Sequence, residues 1–264
     1  MDPNYFWDEN LMRESAFPNP TILAIGDSWF WYPFLGGSLV NNLGEIVRHK
    51  RHVILAKGMN GAEAADYVEG GKYAVSVKEA LRRYGAGLEA VFISGGGNDF
   101  AGMAQLRPLL KADCSQQTEA PGCFNDGSDG LKAFLERVDD AYRKLIGQIY
   151  TRTPPGCKIV MHCYAYPIPN GRGVHSDQGW LLPALKDAGV PLALHQACLE
   201  HLLDAFCQVL GGIRSMDPEH LLLVDSRRAL GAPDWANELH PTAAGFRKIA
   251  QQYWKPALEA AGLA

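Results

Sequence analysis

The chain has 264 residues, of which 47% are hydrophobic and 20% charged, with a formal net charge of −4 and a pI near 6.1. That balance can bury a sizeable core, and it argues against a nucleic-acid footprint or a polybasic membrane surface. No apolar run approaches the roughly 18 residues of an integral membrane segment. The acidic, aromatic start from Met1 to Asn10 is unlike a secretory leader. As it stands the chain reads as cytoplasmic; a leader already removed would make it secreted or periplasmic.

In chain order, the first strand-like run is Ile22–Ile25, which ends in the turn Gly26-Asp27-Ser28. Aromatic residues follow at once: Trp29, Phe30, Trp31, Tyr32 and Phe34. Further runs occur at Val53–Ala56, Ala90–Ser94, Lys158–Cys163 and Leu221–Val224. Between them lie helical patterns. Leu131 to Tyr150 places apolar residues at three- and four-residue spacing and is ended by Thr153-Pro154-Pro155-Gly156. Leu192 to Leu210 reads as a helix stopped by Gly211-Gly212, and Thr242 to Ala261 as the last one. Alternating strands and helices predict a single three-layer α/β domain over 1–264, built on a five-stranded, doubly wound parallel sheet. Two long Gly- and Pro-containing stretches, near 107–130 and 167–191, read as insertions of the kind that serve as lids or binding loops.

In open α/β sheets ligands bind beyond the carboxyl ends of the strands, and four chemically apt groups fall there. Ser28 follows the first strand and offers a hydroxyl nucleophile. Gly61 follows the second, where a missing side chain lets a backbone N–H approach a ligand, with Gly58 as the less apt alternative. Asn98, in Gly96-Gly97-Asn98-Asp99, follows the third and offers a neutral donor. His240, before Pro241, follows the fifth and offers a base. Acyl transfer needs these three things: a nucleophile, a base within reach and donors for the developing oxyanion.

These blocks resemble those of the SGNH/GDSL hydrolases, in the family's order, over about 215 of the 264 residues. The resemblance implies a flavodoxin-like fold that hydrolyses carboxylic esters with no metal and no organic cofactor. Ser28 would be the nucleophile and His240 the general base. The Ser28 and Gly61 backbone N–H groups and the Asn98 side chain would form the oxyanion hole. The implied partner is a small ester, with short-chain or aryl esters favoured by the aromatic surroundings. Carbohydrate O-deacetylation, or acyl transfer to another acceptor, is the alternative on the same site. A non-catalytic binding protein on the same fold is the further one. The sequence does not decide the oligomeric state.

One position departs from the family pattern. The residue three before the histidine, usually Asp, is Asn237. Either its carbonyl oxygen orients His240, or Glu238 or Asp234 reaches the imidazole instead, or a backbone carbonyl leaves a Ser–His dyad. Asp27 and Asp99 read as braces of their turns. Trp31, Tyr32, Tyr164, Tyr166 and Arg172 are the candidate substrate-binding residues.

Among the cysteines, Cys157, Cys163, Cys198 and Cys207 read as small buried hydrophobes. Cys114 and Cys123 flank a polar loop that a disulfide could close, and their redox state stays open. His195, Cys198 and His201 sit at three-residue spacing, which fans them over more than one helical face and makes a poor metal set.

Overall fold

The computed structural model describes residues 3–264 except 16, 18, 33–36 and 175–177. Phe34 therefore lies outside the described residues. Six parallel strands form one sheet: β1 (Tyr5–Phe6), β2 (Ile22–Gly26), β3 (Ile54–Gly58), β4 (Ala90–Ser94), β5 (Lys158–Cys163) and β6 (Leu221–Asp225), in the spatial order β1-β3-β2-β4-β5-β6. The five expected strands are all present, within two residues of their expected ends. The sixth, β1, is an addition to the expected sheet. It pairs Tyr5 with Ile54 and Phe6 with Leu55, and two residues are too few to show any periodicity. Buried Asn4 secures it by donating to the Gly44 and His52 carbonyls, both at 2.8 Å.

The helices are α1 (Glu9–Glu14), α2 (Leu39–Val47), α3 (Ala74–Tyr84), α4 (Met103–Leu106), α5 (Leu131–Tyr150), α6 (Leu182–Asp187), α7 (His195–Arg214), α8 (Ala243–Ile249) and α9 (Lys255–Ala260). On one side α2 packs with α8, α9 and the wide π turn Ala250–Trp254; on the other α5 packs with α7. Helices on both faces explain why β2 and β4 are buried at every residue and read as unbroken apolar runs.

Helix α7 passes through Gly211 and Gly212 rather than stopping there. A helical Gly costs only about 1 kcal/mol against Ala, and fully buried Ile213 anchors the last turn. A π turn interrupts the α-helical pattern of the last helix without ending it. It precedes Pro256, which has no N–H to give the helical ladder.

Both insertions are ordered over their described residues, and they pack on each other. In the first, Leu110 and Phe124 form an antiparallel bridge. Its Arg107 Nε meets Asp187 of the second at 2.6 Å, and the Cys114 N–H donates to the Ala188 carbonyl at 2.8 Å.

Two of the cysteines depart from their sequence reading. Cys163, at the tip of β5, is bonded to Cys207 of α7, with Cα atoms 5.5 Å apart, so neither is a plain buried hydrophobe. Cys114 and Cys123 are both free and buried, as are Cys157 and Cys198. Forty-four residues separate Cys163 from Cys207, and only the packing of α7 on β5 joins them.

Candidate active site

Strand order reverses between β2 and β4, which leave this point toward opposite edges of the sheet and open a crevice beyond their tips. Gly26 ends β2 where a side chain would strike the Ser94 carbonyl at 2.7 Å and Phe30 at 2.8 Å. The chain then turns sharply into Asp27 and Ser28. The Asp27 carboxylate holds this turn, accepting from the Trp29 N–H at 3.0 Å, Ser94 Oγ at 2.9 Å and Tyr164 OH at 2.5 Å. Burial raises its pKa to about 6 in spite of these donors. Asp27 is thus a brace beneath the nucleophile.

His240 arrives from a compact loop between β6 and α8. Trp235 and Pro241 form an isolated bridge, the Ala236 N–H donates to the His240 carbonyl at 3.0 Å, and Thr242 caps α8 through the Gly245 N–H. This folding brings His240 Nε2 to 2.8 Å from Ser28 Oγ. On the other side of the ring, Nδ1 lies 3.1 Å from Asn237 Oδ1. The same Oδ1 accepts from the Leu239 and His240 backbone N–H groups, at 3.0 and 2.9 Å. The amide Nδ2 donates to Tyr32 OH at 3.3 Å. Two backbone donors on the oxygen and one acceptor for the nitrogen fix which way the amide faces, so the Nδ1 that meets this oxygen carries the proton and Nε2 is free to take one. Burial, with no other cause, lowers the His240 pKa to about 4.

The alternative orienting residues are committed elsewhere. Glu238 is fully buried and accepts from the backbone N–H groups of Gly171, Trp180, Leu181 and Leu182, at 2.9, 2.5, 2.7 and 3.1 Å. It fastens the 167–191 insertion rather than the imidazole. Asp234 accepts from the Gly231 N–H and from Lys248 Nζ, both at 2.9 Å.

Asn98 follows β4, and its Nδ2 donates one hydrogen to the Ala62 carbonyl at 2.9 Å. Among the described residues the second amide hydrogen has no acceptor. The Ala64 N–H donates to Asp99 at 2.8 Å, so neighbouring side chains tie the 59–64 loop to the 95–99 loop. Burial, the largest cause, raises the Asp99 pKa to about 7. Gly61 lies on that first loop at φ +75°, exposed, where a side chain would be strained.

A small cavity of about 30 Å³ opens beside Ser28 and Asn98. Trp29, Phe100, Leu203, Trp235 and Leu239 give it apolar walls, and Tyr164 and Gly97 also line it. Of the five candidate substrate-binding residues, Tyr164 alone lines it. Tyr32 lies on His240 instead, with ring centroids 4.1 Å apart and planes 14° from parallel. Trp31 is half-buried beside Gly58, Tyr166 donates to Asp204 at 2.5 Å, and Arg172 is exposed. Those three do not line the cavity. The walls that sequence reasoning missed, Trp235, Leu239 and Leu203, come from segments remote in sequence. Also missed was His162, a polar residue inside an apolar strand run. It supports Ser94 at 2.9 Å from behind, and burial lowers its pKa to about 3.

Among the described residues, one group of potential ligands converges, Cys163, Cys207 and Asp225, and its two sulfurs are bonded to each other. His195, Cys198 and His201 do not converge; His195 Nε2 lies 2.9 Å from the Val190 carbonyl.

No protein-family model matches the chain, and no curated protein matches it in sequence. Solved structures do match in shape. An extracellular lipase from Streptomyces rimosus is 17% identical with a TM-score of 0.55, over 92% of this chain and 99% of that one. Phospholipase A1 from Streptomyces albidoflavus is 16% identical with a TM-score of 0.54, over 90% and 98%. A protein assigned as an SGNH hydrolase from Slackia heliotrinireducens is 14% identical with a TM-score of 0.50, over 91% and 99%. At these identities the likeness is one of fold, and the chain has the flavodoxin-like α/β fold of the SGNH/GDSL hydrolases.

Proposed function

We propose that this chain is a serine hydrolase that cleaves carboxylic esters through an acyl-enzyme on Ser28. The observation that carries this reading is the continuous contact from Ser28 Oγ to His240 Nε2, and from His240 Nδ1 to Asn237 Oδ1. A neutral imidazole beside a hydroxyl can take its proton as the oxygen attacks the ester carbonyl. The new Ser28–acyl bond forms as the carbonyl oxygen becomes an oxyanion. The second Asn98 amide hydrogen and the Ser28 and Gly61 backbone N–H groups are the donors assigned to that charge. His240 then returns the proton to the leaving alcohol. A water, deprotonated by the same Nε2, releases the acid and restores the serine.

The nucleophile and base both come from the protein, so the proposal needs no metal and no organic cofactor; chelation should leave turnover unchanged. The cavity beside Ser28 is small and walled mainly by apolar side chains, which suits a short acyl group. The same size favours one second reading, removal of O-acetyl groups from a carbohydrate.

Hydrolysis of p-nitrophenyl acetate, butyrate and octanoate by the wild type and by Ser28→Ala tests the proposal. Acetate should be turned over fastest, and the substitution should lower kcat by at least about 10³-fold. Acetylated sugars turned over in place of aryl esters would select the deacetylase reading. Activity that survives Ser28→Ala would overturn the mechanism.

A further inference from the structure

Taking a proton from Ser28 makes His240 a cation in a site where burial disfavours one. In a Ser–His–Asp triad an anion offsets that cost. Here the orienting residue is a neutral amide. Its Oδ1 is already shared with two backbone N–H groups. Among the described residues the nearby carboxylates face other partners: Glu238 the 167–191 insertion, Asp234 Lys248, and Asp27 the Tyr164 and Ser94 hydroxyls. Trp180 is more distant, its ring centroid 6.1 Å from that of His240 and its plane near perpendicular to it. Among the described residues Tyr32 covers the imidazole. Its ring lies nearly parallel to His240 at 4.1 Å, and its hydroxyl accepts from Asn237 Nδ2.

We propose that Tyr32 is a positioning residue that supplies part of what the missing carboxylate would. Its ring face supports the His240 imidazolium, and its hydroxyl anchors the amide that orients the ring. The inference rests on the serine-hydrolase reading above. An aromatic face is electron-rich, so it attracts a stacked imidazolium more than a neutral imidazole. The interaction strengthens as the proton arrives and is therefore felt in the transition state rather than in substrate binding. The hydroxyl acts through Asn237. It gives the buried Nδ2 an acceptor, without which the amide would be pulled toward other partners and away from Nδ1. Both actions matter because position 237 is Asn. With Asp there, the anion would stabilise the imidazolium directly, and a carboxylate has no wrong way round.

The test is a double-mutant cycle on p-nitrophenyl acetate turnover and on fluorophosphonate inactivation, with Tyr32→Leu and Tyr32→Phe each made beside Asn237 and beside Asn237→Asp. Beside Asn237, Tyr32→Leu should lower kcat about 30-fold with KM within about twofold, and Tyr32→Phe, which keeps the ring, about threefold. Beside Asn237→Asp, the Tyr32→Leu loss should shrink to about fivefold or less. A residue that merely packs would cost the same factor in both backgrounds, or would act on KM, and either result overturns the proposal. Should Tyr32→Leu not fold, a fluorinated phenylalanine at position 32 is compared with Tyr32→Phe. It keeps the shape but drains the ring's electron density, so kcat should fall, and equal kcat overturns the proposal. A wild type without Ser28-dependent turnover or labelling would sink the serine-hydrolase reading itself, an outcome distinct from equal factors in the two backgrounds.

Discussion

At the scale of single residues, His240 links structure to a measurable pH dependence. A general base must be neutral to work, and burial lowers its pKa from the ordinary 6.5 to about 4. Activity is therefore present above the lowered value and lost as pH falls through it. The acid limb of kcat/KM should lie near pH 4, and a limb near 6.5 would contradict a buried imidazole with no carboxylate beside it. Asn237→Asp places a negative charge beside Nδ1, so it should move that limb upward by about 1–3 pH units. Asn98 is tested by truncation. Held by the Ala62 carbonyl, its amide would be preorganised for the transition state of the proposed reaction. Asn98→Ala should lower kcat by about 10²–10³ with little change in KM. A pure KM effect would remove Asn98 from the oxyanion hole.

At the scale of elements, two long-range ties hold the segments around the site. Glu238 gathers four backbone N–H groups of the 167–191 insertion, so its role is structural. Glu238→Ala leaves those donors without their acceptor and should destabilise the protein by about 2–4 kcal/mol, read as a lower unfolding midpoint. An unchanged midpoint would show that the insertion holds itself. The Cys163–Cys207 bond joins the tip of β5, directly before Tyr164, to the helix that carries Leu203. Alkylation after unfolding should modify four thiols without reductant and six with it. Six in both cases would mean the bond is absent. These ties also mark where sequence reading stops. Helix α5 runs from Leu131 to Tyr150 as its spacing predicts, because local amphipathic order decides it. Neither the partner of Cys163 nor the burden on Glu238 has a local signal; both depend on segments that meet only in the folded chain.

At the scale of the whole molecule, the doubly wound sheet places its crevice between β2 and β4, and the site follows from that position. Ser28, Asn98 and His240 could be found in the sequence because each follows a strand in a short, distinctive block. Asn237 was visible as a departure three residues before His240, and the structure shows its carbonyl oxygen on the imidazole. The cavity walls were less visible. Of the aromatic residues after Ser28, Trp29 faces the cavity and Tyr32 faces His240, a division that turn geometry makes and composition does not reveal. Trp235, Leu239 and Leu203 reach the cavity only through the packing of distant segments.

The central claim is that Ser28 is an activated nucleophile. It is tested most directly by reacting the native protein with a fluorophosphonate and mapping the adduct by peptide mass spectrometry. The account predicts one adduct, on Ser28, formed at least about 10³-fold more slowly in His240→Ala. An adduct on another residue, no adduct at all, or equal labelling without His240 would contradict it.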